Sequence, residues 1–109
     1  MKDKTTVLAF IKKCIRAGNI FWTYHVNMRM MQRGIFRKTI VNAIATYEII
    51  EEYPTDKYLP SYLVYLQHEG SVFHVLIATD IKEANVRIIT AYRPNPDEWT
   101  GDLKTRRSI

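Results

Sequence analysis

The chain has 109 residues, 47% of them hydrophobic and 25% charged, with a net charge of +5. That size and balance suit one globular domain with one modest core and exclude a disordered chain. The cationic excess, with a pI near 9.4, favours a polyanionic or acidic partner, and a lone cysteine, Cys14, excludes an internal disulfide or a cysteine-rich zinc site.

The first helix is predicted from about Thr6 to Ala17, where Val7, Leu8, Ile11, Cys14 and Ile15 recur at helical spacing. Gly18-Asn19 closes it, and Cys14 reads as a buried thiol. No long apolar run with a cleavage site follows the charged start Met1-Lys2-Asp3-Lys4, and no stretch is long enough to span a bilayer, so a cytoplasmic protein is expected. Ile20 to Tyr24 reads as a brief strand. A second helix runs from about Val26 to Arg33 with Gly34 as a left-handed cap, and a third from about Arg37 to Tyr47.

After Tyr47 the hydrophobic period changes from that of helices to that of strands. Strands are predicted at Glu48–Tyr53, Tyr62–Gln67, Val72–Thr79 and Val86–Tyr92. A proline-bounded loop covers 54–61, Glu69-Gly70 makes a hairpin, and Lys82 to Asn85 makes the next turn. Helices followed by hairpin-linked strands predict an α+β domain. Its N-terminal helices pack on one face of an antiparallel, roughly four-stranded twisted sheet, with Val72–Thr79 central.

The most informative run is His25-x-x-x-Arg29-Met30-x-x-Arg33-Gly34-Ile35. On a helix Arg29 and Arg33 lie about 40° and 80° round from His25, a single basic stripe. Met28, Met31 and Ile35, at roughly 240–300°, are predicted to face the core. An imidazole beside two permanent cations suits a phosphodiester, although a basic stripe is equally the solvated face of an ordinary helix. His74 lies mid-strand, as a core residue or as a second proton carrier. Thr90, Tyr92 and Arg93 end the last strand, where they line the sheet or hold a phosphate. Trp99, with Lys104, Arg106 and Arg107, is a candidate for base stacking or partner docking, or else folds back to close the domain. No two of His25, His68 and His74 have helical metal-pair spacing, and Asp80, Asp97 and Asp102 are isolated, so no metal and no cofactor is expected. Phosphate-loop and nucleophile-elbow motifs are absent.

The run Tyr24-His25 … Arg29-Met30 … Arg33-Gly34-Ile35, the strand Phe73-His74-Val75-Leu76, the stretch Ile88 to Pro94 and the closing Asp97-Glu98-Trp99 … Arg106-Arg107 resemble a small bacterial domain family without an assigned function, related to RelE- and BrnT-like toxins of toxin–antitoxin systems. The resemblance covers about residues 21–107. It implies a RelE/barnase-like fold for one domain, 1–109, a metal-independent endoribonuclease acting on RNA, and a cognate antitoxin from an adjacent gene. The family's signature histidine falls on His25, its arginines on Arg29 and Arg33, its strand histidine on His74, and its closing threonine and aromatic on Thr90 and Tyr92. Where the family usually has a serine or threonine cap, this chain has Phe36, a loss of about 1 kcal/mol for the third helix.

On this reading His25 and His74 share the acid and base roles, with Arg29 and Arg33 on the phosphate and Thr90, Tyr92, Arg93, Trp99, Lys104, Arg106 and Arg107 binding substrate. The tail from residue 98 is assigned to partner binding. The alternatives are a non-catalytic module that binds nucleic acid or protein through the same stripe, and a scaffold in which these residues are purely structural.

Overall fold

A computed structural model describes residues 3–108; the Met1-Lys2 start lies outside the described residues. Asp3 caps α1 (Lys4–Ala17), its carboxylate accepting the Thr6 N–H at 2.8 Å. Gly18, at φ +76°, ends the helix in the left-handed conformation that glycine adopts without a Cβ clash. After β1 (Ile20–Trp22) the Thr23 hydroxyl accepts the Val26 N–H at 3.1 Å. That bond starts α2 (Tyr24–Arg33) two residues earlier than the apolar pattern suggests.

Gly34, at φ +65°, turns the chain into α3 (Arg37–Asn42), whose cap position, Phe36, makes no side-chain bond. The corner is held by packing instead: Ile35 and Ile40 are buried, and the Tyr47 hydroxyl donates to the Ile40 carbonyl at 2.7 Å. Burial pushes the Tyr47 phenol well up from its ordinary value. The third helix is shorter than its pattern, giving way to a 3₁₀ turn at Ile44–Thr46. There the Thr46 hydroxyl donates to the Ala43 carbonyl and accepts the Gln67 N–H.

Four strands follow: β2 (Glu48–Tyr53), β3 (Ser61–His68), β4 (Ser71–Asp80) and β5 (Asn85–Tyr92). Glu69 and Gly70, both at positive φ, make the tight β3–β4 turn. The domain is α+β, but the sheet differs from the four-stranded antiparallel one expected. It has five strands, ordered β1-β5-β4-β3-β2, with β1 parallel to β5 and the other pairs antiparallel. The three-residue segment Ile20–Trp22 supplies the extra edge by pairing with Val86–Ile88. The apolar strand β4 is the middle one.

Alternation along the strands separates two faces. Ile49, Val64, Leu66, Phe73, Val75, Ile77, Val86 and Ile88 form the core with Val7, Ile11, Ile15, Val26, Met30 and Ile40 from the helices. The opposite face carries Leu63, Tyr65, His74, Leu76 and Tyr92, and the C-terminal tail folds across part of it.

Candidate functional site

The helix α2 presents a different side to the core from the one the sequence suggested. Val26 and Met30 are buried, whereas Met28 and Met31 are exposed. Val26 and Met30, near 100° and 140° round from His25, form an i,i+4 pair that meets the sheet, and Ile35 joins them only after the Gly34 turn. His25 and Arg29 point to solvent. Arg33 sits at the edge of the buried side and donates through Nη1 to the Ala91 carbonyl at 2.8 Å, tying α2 to β5. Arg93 donates to the Arg33 and Gly34 carbonyls and stacks over Phe73. Arg33 and Arg93, assigned to phosphate and substrate, therefore hold the fold together. Among the described residues, Arg29 makes no side-chain hydrogen bond or ion pair.

His74 is fully buried on the other face of the sheet, so the structure does not bring it together with His25. Its Nε2 donates to the Leu103 carbonyl at 2.7 Å, and its Nδ1 lies 3.3 Å from the Tyr92 hydroxyl. With Nε2 donating, the neutral ring accepts the Tyr92 proton at Nδ1. Trp99 meets the imidazole edge-on, centroids 4.4 Å apart, and is only 1% exposed. Trp99 is thus core, not a solvent-facing platform. Arg106 covers it at 4.6 Å and pairs with Glu51 at 2.8 Å, Tyr53 also donating to Glu51. Lys104 pairs with Glu48 at 3.0 Å, and Arg107 donates to the Pro96 carbonyl. The cationic tail is spent on the carboxylates of β2 and on itself. Thr90 is half-buried on the same face as Tyr92.

Burial depresses the His74 pKa from its ordinary 6.5, opposed by the Leu103 bond and the Glu51 charge. The folded chain therefore holds fewer protons at this site than the unfolded chain. The stability this confers is complete above pH 6.5 and is lost as pH falls toward the depressed folded value. Urea unfolding is expected to show lower stability at pH 5.5 than at pH 7.5. Equal stabilities at the two pH values would refute a neutral, desolvated His74. On Glu51, burial raises the pKa, but the bonds from Arg106 and Tyr53 outweigh it and hold the carboxyl below its usual range.

Charge divides along the chain. Residues 1–47 carry nine lysines and arginines against one carboxylate, Asp3, whereas residues 48–109 carry seven against ten. This partition is readable from the sequence and is the signal missed by considering net charge alone. The cleft of about 440 Å³ beside β2 has Glu52 and Asp56 in its lining with Tyr53, Ser61 and Leu76, a poor setting for phosphate. Among the described residues no cluster of His, Cys, Asp and Glu could hold a metal ion, and no helix is long and apolar enough to cross a membrane.

These features define a class: a small α+β domain with a cationic helical layer on one face of a mixed sheet and a tail strapped across the other. Residues 22–93 match the family described as a domain of unknown function, DUF4258, and the chain belongs to it. No curated protein and no solved structure matches the chain. The family match ends at Arg93, so Trp99, Leu103 and Arg106, which enclose His74, lie beyond it.

Proposed function

We propose that this domain binds RNA through its helical layer, as the RNA-directed member of a toxin–antitoxin pair with a RelE/barnase-like fold, working in the cytoplasm beside an antitoxin encoded next to it. The observation that carries the proposal is the solvent-facing pair His25 and Arg29 in a helical layer without a carboxylate from residue 4 to 47. A phosphate chain meets no repulsion there. Arg37 adds a cation at the end of the layer, positioned by Asn27 and stacked on Trp22 at 5.1 Å.

A metal-independent endoribonuclease is the second reading, favoured by the exposed imidazole one helical turn from Arg29. His25 would take the ribose 2′-OH proton as the 2′-oxygen bonds to phosphorus, Arg29 would balance the charge developing on the phosphate, and the 5′-oxygen would leave as its bond to phosphorus breaks, protonated by solvent water. His74 has no part in that chemistry, being enclosed and committed to Leu103. RNA binding measured by fluorescence anisotropy across a salt series tests the primary reading. Arg29→Ala is expected to weaken affinity for all sequences and reduce the salt slope by about one. Affinity independent of salt, or unchanged in Arg29→Ala, would overturn it. Incubation with RNA in EDTA tests the second reading: a 2′,3′-cyclic phosphate product that disappears in His25→Ala supports catalysis, and its absence from wild type leaves a binding module.

A further inference from the structure

Nine large apolar side chains are exposed among the described residues; Phe21, Tyr53, Tyr58, Ile81 and Ile89 are distributed over β1, β2, β5 and two loops, and the other four gather at α2. Tyr24 is 80% exposed, Met31 76% and Phe36 69%, with Met28 also exposed, all within α2 and the corner that follows it. Tyr24, Met28 and Met31 are spaced i, i+4, i+7 and form one stripe along α2, beside the His25–Arg29 stripe. Most surface apolar groups occur singly; a contiguous line on one helix marks a docking surface.

We propose that this stripe receives an acidic amphipathic helix from a partner protein. Three observations select that occupant. The spacing is that of a helix face offering ridges to a second helix. Two of its three members are methionines, whose flexible thioethers pack well against aliphatic side chains, and only Tyr24 offers a planar face for a nucleobase. The flanking cations are Arg29 and, beyond Phe36, Arg37 and Lys38, and no carboxylate lies nearby in the chain, so the partner helix carries Glu or Asp beside its apolar ridge. The same charge disfavours a second copy of this chain, which would set cation against cation. A partner so docked covers the stripe proposed for RNA and would compete with it, although the apolar stripe is observed independently of the RNA reading.

The test is calorimetric titration of the intact protein with a synthetic helix of about 18 residues, five turns, with leucines aligned at 3–4 spacing and glutamates on the flanks. The same residues in an order that scatters the leucines provide the control. The aligned peptide is expected to bind, the scattered one to bind at least about tenfold more weakly, and Met31→Lys to weaken the aligned peptide by about tenfold while its thermal midpoint stays unchanged. Because Met31→Lys adds a cation, RNA affinity is expected to hold or rise, which separates failure here from failure of the RNA reading. No binding by the aligned peptide, equal binding of both peptides, or indifference to Met31→Lys would overturn the proposal. So would loss of RNA affinity in Met31→Lys, which would make the stripe a base-stacking surface, or self-association abolished by that substitution, which would make the occupant a second copy.

Discussion

Trp99→Ala is expected to destabilise the protein by about 3–5 kcal/mol, the cost of emptying a buried tryptophan site. The indole is enclosed by the His74 ring and the Arg106 guanidinium, and its backbone bridges to Arg106. Small domains have only about 5–15 kcal/mol in hand, so the variant should unfold at much lower urea and at a markedly lower Tm. A wild-type unfolding midpoint would mean that Trp99 packs elsewhere. Truncation before Glu98 removes Trp99 and Leu103 together, and is expected to collapse the melting transition. The tail therefore closes the domain, one of the two roles its sequence allowed.

The second large effect is expected at His74. His74→Ala empties a fully buried site and leaves the Leu103 carbonyl without its donor, a loss of about 2–4 kcal/mol. His74→Gln should lose less, because its amide nitrogen can donate where Nε2 does. Both variants should lose the part of the stability slope between pH 7.5 and 5.5 that His74 provides. Chemical unfolding of the two variants at both pH values decides the matter. Equal losses for Ala and Gln would show that packing, not the hydrogen bond, accounts for the site.

Much of the fold was legible. The strands β2 to β5 follow from β-branched and aromatic runs cut by Pro54, Glu69-Gly70 and the 82–85 turn, all short-range signals. The parallel pairing of β1 with β5 was not legible, because it joins Ile20 to Val86 across most of the chain. On α2 the wheel was right and the choice of side wrong. Two apolar stripes compete there, Val26–Met30 and Tyr24–Met28–Met31, and only the entry and exit angles fixed by Thr23 and Gly34 decide which meets the sheet. His25 was legible as the head of a basic helical stripe, and His74 as a polar residue in an apolar strand. Their separation depends on which face of β4 the helices cover, and strand alternation alone does not assign that. Glu51 and the Leu103 carbonyl left no signal: one belongs to an acidic strand end, the other is a backbone group.

The layer that is cationic is also the layer made first. The stretch up to Tyr47 carries nine cations against one carboxylate and lacks every strand of the sheet except Ile20–Trp22. Val26 and Met30 have nothing to bury against until β4 and β5 arrive, and β1 cannot pair until Val86 exists. The domain therefore cannot close until β5 is made. His74 is sealed last, when Trp99 and Leu103 clear the ribosome. Residues 48–83 add seven carboxylates against two lysines, so the strands that give the helices something to bury against also offset their charge.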